Sequence, residues 1–237
     1  MKFYGDAPYA SMEMRFDPLQ HQLLVKVIQE KKIKVAVETG TYLGLGSTTN
    51  IANAFIESGV DLDTVLFYTF EANMENYNRA KQNLKRFSFV RPIHGSTVSK
   101  EEVEHFIAND EPLIHPENYP DIYIDGMGDT RPGYIAESLG SKGLAVDDWD
   151  DRPLLEFYLE YVKIFHPLIV LDSAGGLGWL EFQKTMDIMK DDPFTLLLDD
   201  CEHVKHFRSV NYIQTHSDTF QLLGTQNGWA LANYKPL

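Results

Sequence analysis

The chain has 237 residues and is 43% hydrophobic, enough apolar material for one domain with a large core, at most with an insertion. Its 35 acidic against 21 basic residues give a formal net charge of −14, which repels a phosphate backbone and argues against nucleic acid as a substrate. One cysteine, Cys201, excludes an internal disulfide; no apolar run reaches the ~20 residues a membrane helix needs, and residues 1–30 lack a signal-peptide pattern, so a cytoplasmic protein without a membrane segment is expected.

Residues 1–17 mix aromatics and methionines without periodicity and read as an arm or lid. Asp17-Pro18 supplies an N-cap and a first-turn proline, and Leu23, Leu24, Val27 and Ile28 recur at helical spacing, predicting a helix over 18–31. Short apolar strands then alternate with amphipathic helices. Strands are expected at 34–38, 65–71, 89–94, 168–172 and 194–199, and helices around 47–58, 74–87, 99–108, 153–165, 177–190 and 202–215. That alternation predicts an α/β fold, a doubly wound, mostly parallel sheet with right-handed crossovers. Residues 109–151, rich in Asp, Pro, Gly and Tyr, break the rhythm and read as an insertion in a domain spanning 18–237. A competing reading makes Ile122–Ile124 a strand of the main sheet. Near the end, Asn227-Gly228 between two apolar runs predicts an antiparallel hairpin, because both residues tolerate positive φ.

The first strand ends at Glu38 and is followed by Gly40, Gly44 and Gly46, with Ser47 and Thr48 opening a helix. Such a turn lets backbone approach a ligand at the carboxyl edge of a parallel sheet. Its spacing departs from the dinucleotide Gly-x-Gly-x-x-Gly pattern, which argues against a nicotinamide enzyme. The second strand ends in Glu71, placed to accept hydrogen bonds from ribose hydroxyls.

Together with His94-Gly95-Ser96 after the third strand, Asp172 at the fourth strand end and the terminal hairpin, these residues resemble class I S-adenosylmethionine-dependent methyltransferases, over roughly 18–108 and 153–237. The Glu-x-Gly-x-x-x-Gly turn is most similar to small-molecule O-methyltransferases of the macrocin and catechol types. The resemblance implies a seven-stranded Rossmann-like sheet. It also implies that Glu38, Gly40, Tyr42 and Gly44 line the methionine part of the cofactor, with Glu71 at the ribose, Gly95 and Ser96 near the adenine, and Asp172 beside them. Gly40, Gly44 and Glu71 carry the position-by-position match.

Asp172 closes the fourth strand and Asp199-Asp200 the fifth, so adjacent strand ends bring three carboxylates together where they could hold a hard cation such as Mg²⁺. A metal there would lower the pKa of an acceptor hydroxyl and position it. Metal-dependent members of the family resemble this arrangement, but the catechol type carries a lysine three positions past the first acid, where this chain has Gly175. Alternatively Asp199 and Asp200 cap the following helix. As general base, His203, expected in that helix's first turn, is preferred over His206 and His21, with Asp199 as its acidic partner; Cys201 is read as packing. Tyr9, Met12, Met14, Tyr119, Tyr123, Tyr134 and Trp149 could wall an acceptor, though packing is the commoner use of such residues. The expected activity is methyl transfer to a small-molecule hydroxyl assisted by a divalent metal. A metal-independent enzyme on an N, O or carboxyl acceptor and a non-catalytic cofactor-binding module remain alternatives, and a homo-oligomer is compatible with all three.

Overall fold

In the computed structural model, which describes residues 2–3, 16–126, 128–140, 153–173 and 175–237, Lys2–Phe3 form a short strand, β1. Tyr9, Met12, Met14 and Trp149, and most of the arm, lie outside the described residues. Helix α1 (Pro18–Lys31) begins as expected: the Asp17 carboxylate accepts the Leu19 and Gln20 N–H groups, and Pro18 occupies the first turn.

The alternating pattern builds β2 (Val35–Thr39), α2 (Ser47–Glu57), β3 (Leu66–Glu71), α3 (Met74–Asn83), β4 (Val90–His94) and α4 (Lys100–Asn109). A short α5 (Glu111–Ile114), β5 (Tyr123–Ile124) and α6 (Arg131–Ser138) follow. The rest is α7 (Leu154–Val162), β6 (Leu168–Leu171), α8 (Gly178–Met189), β7 (Phe194–Leu198), α9 (Phe207–Thr215) and the pair β8 (Phe220–Gln226) and β9 (Trp229–Tyr234). Seven strands form one sheet in the order β4-β3-β2-β6-β7-β9-β8, parallel except where β9 pairs antiparallel with β7 and β8. The hairpin turns at Asn227 (φ 50°) and Gly228 (φ 85°), both left-handed, as its dipeptide requires.

Alternation along the strands feeds two cores. Ala36, Leu168, Val170 and Leu197 face Leu24, Ile28, Phe55 and Phe67, whereas Val35, Val37, Ile169, Leu171, Leu196 and Leu198 face Leu155, Leu159, Phe182 and Phe194. Among the described residues, helices therefore cover both faces of the central strands, and polar chemistry gathers at the strand ends. Tyr123–Ile124 pairs in parallel with Lys2–Phe3 in a separate two-stranded sheet, so the reading of this piece as a main-sheet strand is not met.

One helix boundary differs from expectation. A helix from 202 was predicted, yet α9 starts at Phe207. Asp200 is left-handed (φ 54°), the Glu202 carbonyl accepts the Tyr123 N–H (3.0 Å), and the Val204 N–H donates to the Tyr123 carbonyl (2.9 Å). Backbone groups committed to Tyr123 cannot also close helical turns. Among the described residues, no helix is long and apolar enough to cross a membrane.

Candidate active site

The turn after β2 is built around close backbone contact. Gly40 adopts φ 81°, and a Cβ there would overlap the Asp172 carbonyl oxygen and lie 2.7 Å from its carbon and 2.8 Å from Ser173 Cα. Glycine is thus required where the ends of β2 and β6 touch, a cause internal to the fold. Gly44 (φ 71°) rests on Leu84 in the same way. Tyr42 is left-handed without being glycine (φ 48°), a strain of roughly 1–2 kcal/mol. Its N–H donates to Glu71 Oε2 at 2.7 Å, and the Asn73 N–H donates to Oε1 at 2.8 Å. Glu71 therefore fastens the turn to the tip of β3. Burial pushes its pKa up to about 7 against those two bonds and a further one from the Asn76 side chain.

Glu38, in β2 just before the turn, is wholly buried. Thr48 and Thr69 each donate a hydroxyl to its Oε2 at 2.6 Å, while Oε1 has no partner. Burial raises its pKa to about 7, with the hydroxyls opposing. Beyond β4, the Gly95 N–H donates to the Glu71 carbonyl (3.0 Å), and Ser96 is buried with its hydroxyl unpartnered. Two orphaned polar atoms, Glu38 Oε1 and Ser96 Oγ, on either side of Glu71 are what a polar ligand in this cleft would satisfy.

The acids at the next strand ends converge as expected: one carboxylate oxygen from each of Asp172, Asp199 and Asp200 lies within 4.8 Å of the others. Ionised carboxylates that close repel by about 3 kcal/mol per pair at an effective dielectric of ~20. The structure adds a residue that the sequence reading had not weighed. Lys205 Nζ is 3.1 Å from Asp172 Oδ1 and 2.8 Å from Asp200 Oδ2. Burial disfavours its charge, but the three carboxylates outweigh burial and push its pKa up. Burial, and then the neighbouring acids, raise the pKa of Asp199 well above the usual carboxylate range. A divalent ion would have to share Asp172 and Asp200 with this ammonium and sit beside its charge, so the donor set fits a metal poorly while Lys205 keeps its place.

The histidines are otherwise engaged. His203 does not stand in a helical first turn beside the acids, because it bridges to Tyr123 and α9 begins only at Phe207. Its Nδ1 accepts the Lys205 N–H at 3.2 Å, and its Nε2 faces Asp125 Oδ2 at 3.3 Å and the Tyr134 hydroxyl at 3.4 Å. His206 Nε2 lies 3.0 Å from the Leu171 carbonyl and Nδ1 lies 3.2 Å from the Ser209 hydroxyl; burial, and then Lys205, lowers its pKa. His21 sits away between Asn50 and Glu57. Asp199 and Asp200 do not cap a helix, since α9 begins seven residues later. Cys201 packs as expected, its thiol pushed up in pKa by burial.

Two wall candidates have structural duties. Tyr134 is buried in a third core with Val98, Ile107 and Leu177, accepts the Asp125 N–H at 2.7 Å, and presses on Gly175. Tyr119 meets Phe207 edge-on. A further residue, Glu181, went unread. Wholly buried, it accepts hydroxyls from Thr39, Thr97 and Ser173, tying the loops after β2, β4 and β6 to one carboxylate. Its signal was a glutamate in an otherwise apolar first turn of α8.

No family model and no curated protein matches the sequence. Solved structures do. An O-methyltransferase from Bacillus cereus in complex with SAH (S-adenosylhomocysteine) is similar at 15% identity and TM-score 0.52, over 93% of this chain and 83% of that one. The O-methyltransferase TomG from Streptomyces achromogenes, involved in tomaymycin synthesis and in complex with SAM (S-adenosylmethionine), is similar at 13% and 0.51, over 94% and 82%. A Staphylococcus aureus protein assigned as a caffeoyl-CoA O-methyltransferase is similar at 16% and 0.50, over 93% and 85%. At such identities the likeness establishes the fold alone: a doubly wound, mostly parallel sheet closed by an antiparallel hairpin, as in those methyltransferases.

Proposed function

We propose that the chain transfers a methyl group from S-adenosylmethionine to a hydroxyl of a small molecule. The observation that carries this reading is the convergence, at one edge of a methyltransferase-type sheet, of a left-handed turn fastened to Glu71, two orphaned polar atoms, and a cluster of carboxylates. The solved relatives printed as O-methyltransferases with SAM or SAH bound support the same cofactor here.

These residues fit the cofactor. Glu71 offers a carboxylate acceptor to a ribose, Glu38 Oε1 is a buried acceptor suited to a cationic group, and Ser96 Oγ can bond a polar edge. When bound, S-adenosylmethionine supplies a methyl already activated on sulfonium, so the protein has to align the acceptor and remove its proton. Asp199 is the cluster acid not ion-paired with Lys205, and its raised pKa makes it a stronger proton acceptor than an ordinary carboxylate. The charge of −14 favours a small acceptor over nucleic acid. The arm of residues 1–17 and the insertion at 109–151 are the segments we assign to acceptor choice.

Calorimetric titration with S-adenosylmethionine and S-adenosylhomocysteine tests the reading. Both should bind one-to-one, and a panel of phenols and sugars should reveal an acceptor by S-adenosylhomocysteine release. Absence of binding by both nucleosides would overturn it.

A further inference from the structure

The acidic cluster departs from a metal site in one respect: its cation is part of the chain. Lys205 is 4% exposed, and its ammonium lies within hydrogen-bonding distance of one oxygen each of Asp172 and Asp200. The side chain is seated on both sides. A Cβ at Gly178 would overlap Lys205 Cγ and lie 2.6 Å from His206 Cε1, so the bare backbone at the start of α8 makes room for the lysine stem. The backbone on either side is tied down, the Lys205 N–H to His203 Nδ1 (3.2 Å) and the neighbouring His206 ring to the Leu171 carbonyl at the end of β6 (3.0 Å). This is a built position, unlike that of a surface lysine drifting over acids.

We infer that Lys205 is the resident cation of this site, holding the place between Asp172 and Asp200 that a divalent ion would take, so that the protein works without metal. Mg²⁺ or Mn²⁺ would have to bind Asp172 and Asp200 while each already spends one oxygen on Lys205, and would bring two further positive charges beside the buried ammonium. Ammonium and metal therefore compete for the same carboxylates. The occupancy claim concerns the chain alone; it rests on the proposed methyl transfer only for its consequence, that the acceptor oxygen is positioned beside an ammonium and carboxylates with no Lewis acid present.

The test is a calorimetric titration of the EDTA-treated full chain with Mn²⁺, alongside Lys205→Gln and the double variant Lys205→Gln/Asp199→Asn, with S-adenosylhomocysteine binding measured separately. The wild-type protein should show no Mn²⁺ site tighter than about 1 mM, and EDTA should leave its S-adenosylhomocysteine affinity unchanged. Lys205→Gln should gain a one-to-one Mn²⁺ site at least about tenfold tighter than wild type, raise its melting temperature with Mn²⁺, and lose that site in the double variant. A tight wild-type site that Asp199→Asn removes would overturn the inference, as would a folded Lys205→Gln that gains nothing. If Lys205→Gln folds only with Mn²⁺ present, that rescue supports the inference, and the wild-type titration decides without any variant. Failure of S-adenosylhomocysteine to bind, with the Mn²⁺ results as expected, would count against the methyltransferase reading and leave the lysine assignment standing.

Discussion

Glu71→Gln isolates the residue on which the cofactor reading most depends. In the wild-type protein both carboxylate oxygens accept backbone N–H groups, from Tyr42 at 2.7 Å and Asn73 at 2.8 Å. A carboxamide has one acceptor oxygen, so its NH₂ must confront one of those donors, leaving a part-buried N–H unpaired at a cost of about 1–3 kcal/mol. The Tyr42 side is the vulnerable one, because its left-handed backbone is held against strain by that bond. A ligand hydroxyl loses a charge-assisted bond as well, worth ~1.5–3 kcal/mol, which corresponds to a rise in Kd of roughly 10- to 150-fold. Titration calorimetry with S-adenosylhomocysteine reads the second effect and urea unfolding the first, with Glu75→Gln on the exposed start of α3 as control. An affinity within about threefold of wild type, a difference under ~0.7 kcal/mol, would show that Glu71 supports the turn without touching the ligand.

Three further outcomes follow from the same geometry. Gly40→Ala should destabilise by roughly 2–4 kcal/mol, combining left-handed strain with a forced shift of the Asp172 backbone, whereas Gly59→Ala, at φ 73° with nothing within 4 Å, should lose only about the strain; equal losses in urea unfolding would refute the close-contact account. Glu38 is raised from 4.5 to about 7 by burial, so the native state holds its proton more tightly than the unfolded chain and stability is lost as pH rises through that window. His206, held neutral by burial, works in the opposite sense, so the informative quantity is a difference: Glu38→Gln should gain on wild type by up to ~3 kcal/mol between pH 4.5 and 7.5, and a flat difference would contradict the raised pKa. Asp17→Ala should cost about 1–2 kcal/mol, since it removes both the α1 cap and the bonds to Asn227 and Gln226. The Asp17 pKa is about 2, its hydrogen bonds outweighing burial, so that stabilisation should fade as acid titration passes below the unfolded value of 3.8.

The seven-stranded sheet was legible because its strands are buried on both faces and read as short apolar runs between helix caps, a signal local to each element. The Asn227-Gly228 turn and the Asp17 cap were legible for the same reason, each needing only its own neighbours. The glycine turn was found, but one of its causes was not. Gly40 is forced by the Asp172 carbonyl, a contact between chain segments 132 positions apart, and no window around residue 40 contains it.

Lys205 was hidden by a rule that ordinarily serves well. Reading 202–215 as one helix put His203 on the turn nearest the acids and left Lys205 as one more charge on a helix surface. What overrides helix propensity there is Tyr123, whose N–H and carbonyl take up the Glu202 carbonyl and the Val204 N–H. The chain turns on either side of that single bridge at His203, and Val204 packs into the third core. His203 then meets Asp125 while Lys205 reaches the carboxylates. The short β5 is therefore more than an ornament of the insertion. By fixing the register of residues 202–204 it decides which side chain enters the acidic cluster, and so whether the cation there is part of the chain.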